Sequence, residues 1–503
     1  VPTVVSNVTN FSTSLSETRS ASFFSQFSYD YQSKYLLSAV IRRDGFSNFA
    51  PENKYGTFPS VSVGWNIHKE AFWKENPTVS MLKLRSSWGT AGGNDLSYTD
   101  TYGGYTDNVY NQLSGIQRAN LSNPNLKWET TQTTDIAVDA GFFKDRISLT
   151  VDFYNKLTKD RLDLKPLPAE APFSTIKFNN GTIQNKGIEI ELGATVLRLK
   201  NFNWHTNVSF AYNAQKVISL PYNGRNKNRQ GGGVVIDPNT GKEIEVGGYA
   251  EGERPFGYYA WQVVKVFSTE EEARAWSATH VDRIATASGI TVGKHAGDYQ
   301  FADLNNDGII DSRDLVFMGY KTPNKTGGMQ NTFTYKNFSM RVNVDFSLGN
   351  MIDNGSLGRE LGQGRAYNEG APVEALGPDI WQKPGDEGKK YARFSFGDAD
   401  FGQKNFIRQA ASDVGTGSAY SADVSTLISK GDYLAFREVY VSYDLPKNLL
   451  KKIKATGLTV FASATNLGYI TAYKGQNPEV TTGFDPGGYP RAKQFTIGAS
   501  LKF

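Results

Sequence analysis

Apolar and polar residues alternate with a period of two along most of this chain, the pattern of strands whose two faces meet unlike surroundings. From Phe338 the split is clean: Phe338, Met340, Val342, Val344, Phe346 and Leu348 share one face, and Ser339, Arg341, Asn343, Asp345 and Ser347 the other. Thr206, Val208, Phe210 and Tyr212 oppose His205, Asn207, Ser209, Ala211 and Asn213. Ile188, Ile190 and Leu192 oppose Glu189 and Glu191, while Ile147, Leu149, Val151 and Phe153 oppose Ser148, Thr150 and Asp152. The last run sets Phe495, Ile497, Ala499, Leu501 and Phe503 against Gln494, Thr496, Gly498, Ser500 and Lys502. This all-β pattern places strands near residues 21–31, 34–43, 57–67, 80–90, 127–140, 146–158, 182–198, 203–217, 326–335, 338–348, 432–444, 457–467 and 490–503.

One-sided strands suit either a soluble sandwich around a dry core or an antiparallel membrane barrel with lipid outside and a wet lumen. The connections favour the barrel. Gln32-Ser33, Gly141 to Asp145, Leu199 to Phe202 and Lys336-Asn337 are tight turns, and the longer inner connections His68–Val79 and Pro446–Thr456 each have room for a helical turn. Between them lie the excursions 91–126, 159–181, 218–325, 349–431 and 468–489. A transmembrane barrel puts short periplasmic turns at one end and long extracellular loops at the other. On that orientation residues 1–20 are the tail of an extracellular loop, residues 21–503 are barrel, and the chain finishes in the periplasm. Within 218–325, Tyr258 to Phe267 reads as a strand and Ser268 to Glu271 as a capping box opening a helix. We read this whole segment as a folded external loop; the alternative is a spanning strand with an unseen returning partner.

The composition fits. Aromatics make up 13% and glycine 50 of the 503 residues, yet mean hydropathy is only −0.45. No stretch of about 18 apolar residues exists to form a transmembrane helix. The balance of 54 Lys and Arg against 50 Asp and Glu is too even to mark a nucleic-acid surface. With no Cys, disulfides, thiolate metal sites and Cys nucleophiles are all excluded. The chain starts at Val1 without a signal peptide, so a processed, clipped or truncated start is expected.

Two motifs carry specific chemistry. In DLNNDGIIDSRD, Asp303, Asn305, Asp307, Asp311 and Asp314 fall at loop positions one, three, five, nine and twelve. Gly308 takes the sharp-turn position six, and Ile309 offers its carbonyl at seven. Such spacing wraps a hard cation in oxygen and suits a structural Ca²⁺, with Mg²⁺ the alternative because the loop ends in Asp rather than Glu. At the C-terminus, Thr496, Gly498, Leu501 and Phe503 follow a polar-x-Gly-x-x-apolar-x-Phe pattern resembling the insertion signal of outer-membrane barrels. No G-x-S-x-G, H-E-x-x-H or phosphate-binding G-x-x-x-x-G-K-S/T motif occurs, and the four His residues are scattered, so no enzyme is expected.

Taken in order, several strings resemble a SusC/RagA-like TonB-dependent outer-membrane transporter, in its C-terminal part. They are Ile41 to Phe46 with Tyr55 to Val61 and Gly64-Trp65, Leu82 to Gly89, and Asn123 to Thr130. The series continues through Asn185 to Glu189, the acid loop at Asp303, Phe436 to Leu445 and Ala464 to Leu467. The resemblance implies a barrel of about 22 strands around a plug domain. About thirteen strands are read here, so the plug and the N-terminal strands lie outside this chain, and the missing part must complete the barrel. The implied function is active uptake of a large nutrient, an oligosaccharide or oligopeptide, across the bacterial outer membrane. A SusD-like surface lipoprotein serves as lid, and energy comes from the TonB complex through the missing N-terminal part. Loops 91–126 and 349–431 are the expected surfaces for lid and substrate, with no individual substrate contacts assigned. The alternative reading is a soluble Ca²⁺-binding β-sandwich that binds or hydrolyses glycans.

Overall fold

The computed structural model describes residues 17–74, 76–110, 113–168, 170–282, 293–362, 377–393, 424–450 and 455–503. Thirteen strands pair into one sheet in sequence order. We number them β1 (Ser20–Tyr31), β2 (Tyr35–Phe46), β3 (Tyr55–Asn66), β4 (Val79–Gly93), β5 (Glu129–Phe142), β6 (Ile147–Pro166) and β7 (Thr175–Arg198). The series continues with β8 (Phe202–Ser219), β9 (Lys325–Tyr335), β10 (Phe338–Leu348), β11 (Tyr433–Asp444), β12 (Gly457–Thr471) and β13 (Gln494–Lys502). Among the described residues β1 and β13 are the sheet's two ends, each paired on one side only. Residues 1–16 of the expected loop tail lie outside the described residues.

The tight turns are encoded locally. Between β1 and β2, Gln32 and Ser33 both take φ of 53°, and the Ser33 amide donates to the Asp30 carboxylate at 2.6 Å. That left-handed pair matches the twist of a two-stranded ribbon. The two longer connections hold the expected helical turns, at Ile67–Lys69 and Lys447–Leu450.

One expectation changes, and one excursion gains structure. Residues 159–181 are not one long excursion, because β6 runs on to Pro166 and β7 starts at Thr175. Residues 91–126 carry structure of their own: a helical turn, Tyr98–Tyr102, whose cap Ser97 and Asp100 exchange hydrogen bonds, and a hairpin of Gly104–Tyr110 with Leu113–Asn120.

By contact density the chain falls into two compact units, one formed by Val1–Trp65, Arg85–Asp135 and Lys156–Ile183, the other by Asn66–Leu84, Ile136–Asn155 and Gln184–Phe503. The first has a small core of Phe49, Leu96, Leu126 and Leu162, against which Phe46 and Trp128 pack. Trp128 stacks on Phe49 at 5.0 Å and donates its indole N–H to the Asn53 carbonyl at 3.1 Å. The motif at Asn123 to Thr130 is thus a packing device, with Asn123 holding the Lys177 carbonyl at 3.0 Å.

In the second unit the core lies outside the sheet. Val266, Tyr299, Phe301, Ile310, Ala392, Val424 and Leu427 form it. Within the described part of 218–325, Gly257–Trp261 and Val263–Val266 are short strands that pair with Leu315–Tyr320 and Tyr299–Phe301 respectively. The helix Glu270–Ser277 is capped by Thr269, one residue later than the sequence suggests, and the Glu272 carboxylate returns to the Ser268 amide at 2.8 Å.

Candidate functional site

The polar face of the second unit's strands is lined by charge, and the charges are organised. Ser148, Glu191, Asn207, Gln330, Asp345 and Arg437 border a cavity of about 610 Å³. Arg437 grips Asp345 in a two-pronged ion pair at 2.7 and 2.8 Å and reaches Glu479, which lies in the segment after β12. Glu479 also accepts from Tyr469 Oη at 2.6 Å and pairs with Arg491 at 2.9 Å. Burial alone would raise the Glu479 carboxyl; hydrogen bonds from Arg437 and Tyr469, with both guanidinium charges, instead hold it below the ordinary carboxylate value. Next along the wall, Glu438 accepts from Arg341 at 3.1 Å and from Asn343 at 2.9 Å. Arg341, Asp345 and Glu191 therefore share the polar face, as the alternation predicts.

Arg437 owes its direction to an irregularity. The register of β11 shifts between Phe436 and Glu438 against β12, and Asn343 and Val344 face Glu438 and Phe436 on the other side. Arg437 is the extra residue of a bulge, which re-aims a side chain out of the regular alternation. The sequence carries a faint trace of this, since the apolar phase moves from Leu434 and Phe436 to Val439, Val441 and Tyr443.

In the acid loop the side chains at the first three positions accept backbone amides. Asp303 Oδ2 accepts the Gly308 amide at 2.8 Å, Asn305 Oδ1 the Asp307 amide at 3.2 Å, and Asp307 Oδ1 the Ile309 amide at 2.8 Å. Gly308 takes φ of +76°, which a side chain rarely adopts. Asp303 Oδ1 is buried with no hydrogen-bond partner. The last two positions are engaged elsewhere: Asp311 pairs with Arg313 at 3.0 Å, and Asp314 accepts the Leu304 and Asp311 amides at 2.9 Å each. Arg313 also meets Asp307 at 2.9 Å. Among the described residues no three carboxylate or imidazole side chains gather as a metal-holding cluster. Arg313 thus neutralises Asp307 and Asp311, and a hard cation held by Asp303, Asn305, Asp307 and the Ile309 carbonyl would have to displace it from Asp307.

A second buried ionic group ties separate excursions together. Asp298, fully buried, accepts from Arg393 Nε at 3.1 Å and from the His295 amide at 2.8 Å; burial pushes its carboxyl up to about 6 despite nearby Lys294 and Arg393. Lys294 pairs with buried Asp282. The Arg393 amide meets the Gly297 carbonyl at 2.8 Å and the Ser425 amide the Trp261 carbonyl at 3.0 Å, so 218–325 and parts of 349–431 share one core. Residues 363–376 and 394–423 of that second excursion lie outside the described residues. The four His side chains are all satisfied locally, for example His295 by Glu270 at 2.9 Å and His205 by Asn207 at 3.3 Å.

The C-terminal motif lies on β13, and its glycine has a packing reason. Gly498 pairs with Phe461, and a Cβ there would come within 2.4 Å of the Phe461 ring. Phe461 stacks in turn on Tyr440 at 5.7 Å. On the other face Phe495, Ile497 and Phe503 are 74%, 83% and 84% exposed, a bare apolar row. Rows of this kind mark an interaction surface rather than a water-facing one.

A one-sided sheet of this size, with charge on one face and exposed apolar side chains on the other, is the architecture of an outer-membrane barrel. The family model "TonB dependent receptor-like, beta-barrel" matches residues 2–345, and the chain belongs to that family. Proteins of this family are outer-membrane receptors and transporters rather than enzymes, which sets aside the soluble glycan-binding sandwich. Among named relatives, "TonB-dependent receptor P3" of Formosa agariphila is 30% identical over 510 residues, covering 97% of this chain and 46% of that protein. "TonB-dependent receptor SusC" of Bacteroides thetaiotaomicron is 28% identical over 505 residues, covering 96% of this chain and 43% of that protein. The solved "RagAB peptide transporter" shares the fold with a TM-score of 0.71 at 23% identity, over 97% of this chain and 48% of that one. The SusC/RagA-like resemblance is therefore borne out, and the chain spans about half the length of the curated relatives it matches.

Proposed function

We propose that this chain forms the barrel wall of an importer that moves large nutrients, oligosaccharides or oligopeptides, across the bacterial outer membrane with energy from a TonB complex. The observation that carries this reading is the sheet itself: a charged polar wall on one face, a bare apolar row on the other, and turns and long loops sorted to opposite ends. The remaining strands and a plug would come from the rest of a longer protein, pairing with the open edges of β1 and β13, since unpaired edges are not tolerated in lipid. A SusD-like lipoprotein would sit over the long-loop end; the similarity to SusC and to a solved peptide transporter supports that reading without choosing between glycan and peptide. The test is uptake of a labelled oligosaccharide or oligopeptide by cells making the transporter. Uptake should cease when TonB is deleted and fall when the lipoprotein gene is removed. Uptake that persists without TonB would instead indicate a passive pore.

The acid loop is proposed to take up Ca²⁺, with Mg²⁺ as the smaller alternative, as a structural ion. Asp303, Asn305, Asp307 and the Ile309 carbonyl would hold it, and Arg313 would have to release Asp307 and Asp311. Added Ca²⁺ should protect the 303–314 segment from proteolysis and a chelator should reverse this. Asp307→Ala should abolish the protection while leaving membrane assembly within error of the parent. Cleavage that ignores Ca²⁺ would leave Arg313 as the counter-charge of Asp307 and Asp311.

A further inference from the structure

We propose that the side chains of Lys294 and Asp282 join into an amide, an intramolecular cross-link that staples the excursion 218–325. Both partners are in place. The Lys294 ammonium pairs with the Asp282 carboxylate, and the two side chains are only 5% and 3% exposed. Each is held by a different element. Asp282 ends the short strand Val281–Asp282, which pairs in parallel with Ile309–Ile310 and sets Asp282 beside fully buried Ile310. The Lys294 amide donates at 2.9 Å to Ser277 Oγ, at the end of the helix Glu270–Ser277. The buried Phe301 ring covers the ammonium, its centroid 4.9 Å away. Phe301 and Ile310 both belong to the core that this excursion shares with parts of 349–431.

Such surroundings work against the ion pair and for the amide. Taking two charges out of water is costly, and neutral groups in their place are often more stable. Burial also favours the uncharged forms of both groups, which are the reacting forms. The ammonium passes a proton to the carboxylate, leaving a primary amine beside a carboxylic acid. The amine nitrogen attacks the carboxyl carbon and a C–N bond forms. The C–O bond to the hydroxyl then breaks, and the hydroxyl leaves with an amine proton as water. Nothing is oxidised or reduced. Holding amine and carboxyl together supplies the orientation, and the exclusion of water opposes the reverse step.

A third group stands ready to carry the proton. Asp298 is fully buried, within electrostatic reach of Lys294, and fixed by Arg393 and the His295 amide. Burial pushes its carboxyl up to about 6, where it can both take and return a proton near neutral pH. The use of such a bond follows from the composition. On the importer reading this excursion is extracellular, and a chain without Cys cannot pin it with a disulfide.

Trypsin digestion and mass spectrometry of the whole protein purified from membranes test this. Cleavage after Arg274, Arg283, Lys294 and Arg313 would release 275–283, 284–294 and 295–313 as separate peptides. Trypsin does not cut at an acylated lysine, so the expected product is 275–283 joined to 284–313, lighter than its two parts by one water. Fragmentation should place the branch between Asp282 and Lys294. Asp282→Ala should abolish the branched peptide. Lys294→Arg should abolish it too while keeping a cation for Asp282, so that loss of the link is not loss of the fold. Recovery of only the three separate peptides from the wild type would overturn the proposal. So would a branched peptide that survives Lys294→Arg, or a dehydrated 284–313 whose link fragments to Asp298 instead of Asp282. None of these outcomes bears on TonB-dependent uptake, which judges the importer separately.

Discussion

Replacing Arg437 with Met should free the segment around Glu479 from the strand wall without dispersing the sheet. In the parent, one guanidinium satisfies Asp345 and Glu479 together, and Glu479 is only 11% exposed. Removing one partner of a buried pair leaves the other charge desolvated and uncompensated, at a cost of roughly 3–5 kcal/mol when burial is complete. Asp345 is 38% exposed, so water recovers part of that, and about 2–3 kcal/mol is expected here. Arg437→Lys should be intermediate, since an ammonium keeps the charge but lacks the planar fork that serves two carboxylates at once. Hydrogen exchange reads the effect directly: amides of 472–493 should lose protection in Arg437→Met while those of β10 and β12 keep theirs. Undiminished protection would mean that Tyr469 and Arg491 hold Glu479 unaided.

What the sequence could reveal depended on what each residue faced. The strand 338–348 was readable to the residue because its apolar and polar faces meet different surroundings along its whole length. The extension of β6 to Pro166 was not, because the apolar phase slips from the odd positions Ile147, Leu149, Val151 and Phe153 to the even positions Leu162 and Leu164, with Asp160 at φ of 52° between them. Strands of two to five residues inside 218–325 are shorter than any alternation can resolve. The turn within the acid loop was legible because Asp303, Asn305, Asp307 and Gly308 follow one another at short spacing. The buried group at Asp298 was not, because its partners are gathered from His295 to Arg393 by folding alone. Likewise the partners of Arg437 lie 92 and 42 residues away, and only the phase slip at the bulge hints that this Arg leaves the regular pattern.

The largest effect on assembly is expected at the last strand. In its register Phe495, Ile497, Ala499 and Leu501 stand beside Ala464, Ala462, Val460 and Leu458, one continuous apolar face across β12 and β13. Thr496, Gly498 and Ser500 stand beside Ser463, Phe461 and Thr459 on the other. If the first face meets lipid, a cation at its middle costs on the order of 2–4 kcal/mol, an acid less, and either less again near the interface. Ile497→Arg should therefore cut the amount of folded, heat-modifiable protein in outer-membrane fractions more than Ser500→Arg, which lies on the polar face. Leu501→Asp and Phe503→Asp lie nearer the chain end, where the lipid penalty is small. A large loss there would have to come from the insertion signal rather than from solvation, and Ser500→Asp, next to Leu501 but on the polar face, should be much milder. The two mechanisms separate in vitro: refolding into lipid vesicles without assembly machinery should remain sensitive to Ile497→Arg and become nearly indifferent to Phe503→Asp. Equal yields for all these variants in cells would mean that neither the lipid-facing row nor the terminal motif guides insertion.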